Sequence, residues 1–183
     1  MVIRHRNRRV RQEREQSMSE LHMYFVRHAE PDYESPLYGP GHFPGPPLTH
    51  RGLLQAADLA RQIGNRAFDA VFCSDYLRTM ETIAQLKTQL PIGVEYDPRI
   101  REVADVLNGY KEYNDFEESE GAQRLRLNSF LDELQGSRNS VVLVVTHFNV
   151  IEFLSRQLGT HIKKPRFAEV HYVRYLAPDT RTQ

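Results

Sequence analysis

The sequence predicts an α/β protein, a three-layer α/β/α sandwich around a mostly parallel central sheet. Three observations carry that expectation. From Leu21 onward, short apolar runs alternate with helical patterns, the order that covers both faces of a sheet with helices. Two of the runs, residues 21–26 and 141–145, are rich in β-branched or aromatic residues and have the length of buried strands. Each leads into a histidine, His28 behind Arg27 and His147 behind Thr146, which puts both at the rim where strands give way to loops. With 183 residues, 40% hydrophobic and 10% aromatic, the chain can close one sizeable core, and residues 21–183 are expected to form a single domain.

The first 20 residues stand apart. Arg4, Arg6, Arg8, Arg9, Arg11 and Arg14 crowd a segment with few apolar side chains, which cannot bury enough surface to offset the entropy of ordering it. Residues 1–20 are therefore expected to be a disordered, dispensable basic tail. Glu13, Glu15 and Glu20 oppose an organelle presequence, since those are acid-poor.

After the first strand, residues 31–47 hold proline and glycine too densely for helix or interior strand. Thr49 is placed to N-cap a helix with Leu53, Ala56, Ala57, Ala60 and Ile63 on one face, and Gly64 to stop it. Residues 70–73 read as a second strand. Ser74 and Asp75 then supply cap chemistry for a helix carrying Leu77, Met80, Ile83 and Ala84, which ends before Pro91. Residues 94–96 suggest a third strand, whereas 99–120 are polar and tyrosine-bearing with no clear period. A helix over about 123–134 aligns Leu127, Phe130, Leu131 and Leu134, with Gly136 at its end. The strand at 141–145, a helix with Val150, Ile151, Phe153, Leu154 and Leu158, and an edge strand over 168–176 complete the order.

Bulk composition removes several classes of function. Lysine plus arginine (24) balances aspartate plus glutamate (24), so no net field draws in nucleic acid or an anionic membrane, and any anion site must be local. A single cysteine, Cys73, allows no intrachain disulfide and no cysteine metal cage, which fits a reducing compartment and a cytoplasmic location. No apolar stretch reaches the roughly 20 residues of a membrane span. His5, His22, His42, His50, His161 and His171 lack metal-ligand spacing, and no glycine-rich nucleotide loop is present. Neither metal nor cofactor is expected.

One ordered set of motifs remains: Arg27-His28-Ala29-Glu30; Leu48-Thr49-His50-Arg51-Gly52; Ser74-Asp75-Tyr76-Leu77-Arg78-Thr79-Met80-Glu81-Thr82; Arg101-Glu102; and Val145-Thr146-His147. Across residues 23 to about 158 this set resembles the histidine phosphatase superfamily, whose fold is phosphoglycerate mutase-like. The resemblance implies that His28 is the phosphate-accepting nucleophile and that Arg27 and Arg78 are guanidinium clamps. It also implies that His147 is a second phosphate-contacting histidine and Glu102 the proton donor. The family's usual glycine after the first histidine is Ala29 here; alanine is small enough for phosphate to approach, though a positive φ there would be disfavoured.

The residue chemistry points the same way. Phosphoryl transfer needs positioning and charge neutralisation more than covalent chemistry from the protein, and arginine's planar fork does both. Two such forks beside His28 disfavour its imidazolium and so leave a ring nitrogen free to attack, while a bound dianion would favour a protonated, donating His147. An acid must then protonate the leaving oxygen. Glu102, just past the third strand, is the first candidate, and Asp105 and Glu30 are the alternatives. Thr49, Gly52 and Ala56 are expected to serve capping and packing.

The expected reaction is hydrolysis of a phosphomonoester through a phosphohistidine, on a small phosphorylated metabolite or a phosphoprotein. The alternatives are a phosphoglycerate mutase-like phosphotransferase and a catalytically silent binding module. The mutase is disfavoured because residues 29–34 carry no asparagine and the chain has no tryptophan, both usual in that group's segment after the nucleophile. Tyr33, Tyr38, Phe43, Tyr110 and Tyr113, with Lys111 and His42, are candidate pocket walls or loop anchors.

Overall fold

The computed structural model describes residues 18–35, 43–87, 89–90, 92–103 and 118–178. Five strands form one sheet: β1 (Met18–Arg27), β2 (Ala70–Cys73), β3 (Glu95–Tyr96), β4 (Val141–Thr146) and β5 (Val170–Pro178). Their spatial order is β3-β2-β4-β1-β5. The first four are parallel to one another, and β5 closes the edge antiparallel to β1. This is the expected α/β architecture with a mostly parallel sheet.

Alternation along β4 shows how the sheet is buried on both sides. Val142 and Val144 join one apolar cluster, Leu143 and Val145 the other. Against the first face pack α3 (Glu120–Gly136), through Leu127, Phe130 and Leu134, and α4 (Phe148–Gln157), through Val150, Ile151 and Leu154. The second face takes α1 (His50–Ile63), through Ala56, Leu59 and Ile63, and α2 (Leu77–Ala84), through Ile83. Each fully buried Leu, Ile or Phe contributes about 1.5–3 kcal/mol, so the layers are held mainly by these stripes.

Local signals act as expected at α1. The Thr49 hydroxyl accepts from the Gly52 N–H at 2.9 Å, and Gly64 ends the helix at φ 58. Gly52 itself is required by packing. A Cβ there would lie 2.3 Å from the Glu30 carbonyl oxygen, so helix and loop would have to separate. Gly52→Ala is expected to cost about 1–3 kcal/mol, as overpacking does, readable as a lowered midpoint in thermal or urea unfolding.

Three expectations need correction. Residues 18–20, assigned to the tail on composition, are strand: β1 begins at Met18, paired to Pro178 of β5, and such pairing does not show in the local composition of one segment. Residues 1–17 lie outside the described residues. Ser74 and Asp75 are not caps of α2; the N-cap is Tyr76, without a side-chain bond, because both side chains are used elsewhere. Finally α3 starts at Glu120, capped by the Ser119 hydroxyl, three residues before the expected start near 123.

Candidate active site

Register builds the site. β1 and β4 pair with Arg27 level with Thr146, and β2 and β4 pair with Cys73 level with Val145. Three neighbouring parallel strands thus end together, and their next residues, His28, His147 and Ser74, emerge side by side. The His28 N–H donates to the Thr146 carbonyl at 2.9 Å, and the Ser74 N–H to the Val145 carbonyl at 3.0 Å. All three residues are buried.

The tautomer of His28 follows from its partners. Its Nδ1 lies 2.7 Å from the Ala29 carbonyl oxygen, which can only accept, so Nδ1 carries the proton and Nε2 the free lone pair. That lone pair receives the Arg78 Nε–H at 3.3 Å. Burial pushes the His28 pKa well below its ordinary value, Arg78 and Arg27 push further in the same direction, and the bond to Ala29 opposes them. Ala29 is not among the residues with positive φ; its N–H donates to the Thr82 hydroxyl at 2.9 Å.

Arg78 joins the two imidazoles. From α2 its second terminal nitrogen donates to His147 Nδ1 at 3.0 Å, which leaves the His147 proton on Nε2, donated to the Ser74 hydroxyl at 2.8 Å. The two rings stand 5.2 Å apart at 60°. With the protein's own groups alone, His147 is also held neutral, by burial first and then by Arg78. Gly45 (φ +78) makes room for the clamp: a Cβ there would come within 2.9 Å of an Arg78 terminal nitrogen.

Arg27 stands over the Phe167 ring at 3.9 Å from its centroid, with Phe148 at 5.2 Å, and donates to the Pro165 carbonyl at 3.0 Å. Its Nε–H is a buried donor with no acceptor among the described residues. Such a group is costly to leave unmet, at about 1–3 kcal/mol, and so is suited to an incoming oxyanion. Glu102 completes the set. Desolvation raises its carboxyl pKa to about 7, against the pull of Arg78, the Val103 N–H, Arg27 and the Asn149 N–H. Asn149 belongs to the first turn of α4, immediately after His147, so the carboxyl sits beside both arginines and at a helix N-terminus.

A family model described as histidine phosphatase superfamily (branch 1) matches residues 23–109, the span that contains Arg27, His28, Arg78 and Glu102. Over those residues the chain is similar to the histidine phosphatase superfamily, and that match supports the superfamily reading. Solved structures share the fold, three of them as follows. A phosphoglycerate mutase from Bacillus anthracis is 17% identical with a TM-score of 0.65, covering 88% of this chain and 91% of its own. A candidate alpha-ribazole-5′-P phosphatase from Escherichia coli is 23% identical at 0.61, covering 76% and 81%. A mycobacterial hydrolase is 21% identical at 0.62, again covering 76% and 81%. No curated protein matches by sequence.

At this site the expected residues divide clearly. Arg27, His28, Arg78, His147 and Glu102 converge, His147 joining from beyond the matched span. Glu30 does not: its carboxylate is held toward α1 by the Thr49 hydroxyl at 3.2 Å and Arg51 at 3.4 Å. Asp105, Tyr38, His42, Tyr110, Lys111 and Tyr113 lie outside the described residues. Tyr33 is exposed, and Phe43 packs near Tyr76 and Arg101 at the rim. Three contributors were not expected from sequence. Ser74, read as a cap, orients His147; Asp75 clamps Arg101 through both oxygens; and Phe167 stacks on Arg27 from a loop with no motif. Only the first two lay within a quoted motif, where cap chemistry and site chemistry look alike. Among the described residues no cluster of histidine, cysteine, aspartate or glutamate could hold a metal ion, and no helix is long and apolar enough to cross a membrane.

Proposed function

We propose that this protein is a phosphomonoester hydrolase working through a covalent phosphohistidine on His28, without a cofactor. The observation that carries the reading is the environment of His28 Nε2: a neutral imidazole with its other nitrogen tied to Ala29, its lone pair beside Arg78, and a carboxyl titrating at about 7 next to both arginines.

In this reading Arg78 and the open Arg27 Nε–H grip the phosphoryl oxygens and neutralise them. The incoming dianion raises the pKa of His147, which takes up a proton from solvent on Nδ1 as the Arg78 N–H that faced it turns to the phosphate, and becomes a third donor. The Nε2 lone pair forms the P–N bond as the P–O bond to the leaving group breaks, and Glu102 gives its proton to the departing oxygen. Water then loses a proton to the Glu102 carboxylate and attacks phosphorus; the P–N electrons return to Nε2, and phosphate leaves. Hydrolysis is favoured over return of the phosphoryl group because residues 29–34 lack the asparagine usual in the mutases. A cleft of about 660 Å³ borders Arg27, with Arg51, Gln55, Lys164 and Phe167 on its walls. It offers space and charge for the remainder of a small phosphorylated metabolite or a phosphorylated side chain.

The test is twofold. Acid-labile, alkali-stable labelling of the enzyme after a rapid quench with labelled substrate is expected, and its absence during turnover would remove the covalent route. Glu102 must be protonated for the first step, so kcat/KM for alkyl phosphates is expected to fall as pH rises through about 7. Glu102→Gln should abolish that limb and lower kcat/KM for alkyl phosphates about 10²-fold or more, with little effect on kcat/KM for nitrophenyl phosphate, whose leaving group needs no acid in the transfer to His28. Equal effects on both substrates would exclude Glu102 as the acid.

A further inference from the structure

Glu102 follows a single 3-10 turn, Pro98–Ile100, and belongs to no helix or strand that could hold it. What ties its backbone down comes from α3. One Arg126 terminal nitrogen donates to the carbonyls of Arg99 at 2.7 Å and Arg101 at 2.8 Å, and the other to the carbonyl of Glu102 itself at 2.8 Å. The remaining Nε–H spans both Glu118 carboxylate oxygens at 3.0 and 2.9 Å, and the side chain is only 15% exposed. All three guanidinium nitrogens thus donate, three of the bonds going to the four-residue segment that ends at the proposed acid.

We propose that Arg126 is a positioning residue for Glu102, holding the 99–102 backbone so that the carboxyl stays beside Arg27 and Arg78. This rests on the reading of Glu102 as the acid. Three further contacts brace the same segment: Asp75 on the Arg101 guanidinium, Asp97 on Arg99, with Asp97 Oδ1 also accepting from the Arg99 N–H at 2.7 Å, and the Thr146 hydroxyl, which donates to the Ile100 carbonyl at 2.7 Å. Those three hold side chains or the turn itself. Arg126 alone among these four braces reaches the carbonyl of Glu102. A planar fork with several fixed donors can bridge carbonyls in this way, whereas an ammonium on a flexible stem cannot hold them all. Without it, the three carbonyls lose these donors; Thr146 on the Ile100 carbonyl and Asn149 on the Val103 carbonyl still anchor the segment, so the acid is displaced rather than released.

The experiment compares an alkyl phosphate with nitrophenyl phosphate in the full-length wild type, Arg126→Met, Arg126→Lys, Glu102→Gln and the Glu102→Gln/Arg126→Met double variant. A misplaced acid should cost Arg126→Met about 10- to 100-fold in kcat/KM on the alkyl substrate, with kcat/KM for nitrophenyl phosphate little changed. Arg126→Lys should show the same selectivity to a smaller degree, and carries the test if the methionine variant does not fold. The double variant should be no slower than Glu102→Gln. Equal losses on the two substrates, or multiplicative losses in the double variant, would overturn the proposal. Leaving-group dependence in Glu102→Gln but not in the Arg126 variants overturns this inference alone; none in Glu102→Gln overturns the acid reading and this inference with it.

Discussion

His28→Ala is expected to lower phosphomonoester turnover by about four orders of magnitude or more, as removal of a catalytic nucleophile typically does, and to eliminate the labelled phosphoenzyme. The size follows from the lack of a substitute. His147 is the second imidazole nearby, with ring centroids 5.2 Å apart, but its Nδ1 faces Arg78 and its Nε2 is bound to Ser74, so neither nitrogen is free to replace the lost nucleophile. The variant also deletes a buried ring and its bond to Ala29, so circular dichroism and an unfolding midpoint should accompany the rates. A folded His28→Ala protein that hydrolyses alkyl phosphates at wild-type rates would rule out His28 as the phosphoryl acceptor.

Arg78→Ala should be nearly as damaging, and its signature is a displaced pH profile as well as a slower rate. Losing one preorganised donor to developing charge costs about 10²- to 10³-fold, and Arg78 contacts both imidazoles at once. Its charge also enters the titration of two groups. After burial, it is the largest influence lowering the His28 pKa, so removing it lets that pKa rise and moves the acid limb of kcat/KM to higher pH. It is likewise the largest influence opposing the raised pKa of Glu102, so the alkaline limb also moves to higher pH, above about 7. Arg78→Lys retains a charge without the fork; it should lose rate while displacing the limbs less. A rate loss in Arg78→Ala with both limbs unmoved would mean that the guanidinium acts by contact alone.

These effects show how far the residues could be read in advance. The strand runs ending at His28 and His147 were legible because buried parallel strands are continuous apolar segments, and a polar residue closing one is conspicuous. Arg78 was legible through its spacing from Ser74 in a family motif. Ser74 itself was misread, since a serine before a helix looks like a cap whether or not its hydroxyl turns to a histidine 73 positions away. Arg126 carried no signal at all: on a helix surface an arginine resembles any solvated charge until the 99–102 carbonyls are brought beneath it. Of the two candidate acids that the structure describes, Glu30 is drawn off toward Thr49 and Arg51 and Glu102 lies with the clamps, while Asp105 lies outside the described residues.

The sequence by itself determined the layered α/β plan, the Thr49 cap and Gly64 stop, and the candidate residues that the fold brings together, because periodicity, capping and motif order are properties of neighbouring positions. Tertiary structure alone decided that β1, β2 and β4 end level, which nitrogen of each histidine carries its proton, and that the Glu102 carboxyl titrates at about 7. Those properties depend on strand register, on which acceptor a ring meets and on how much water a carboxyl loses, and each is set by residues far apart along the chain.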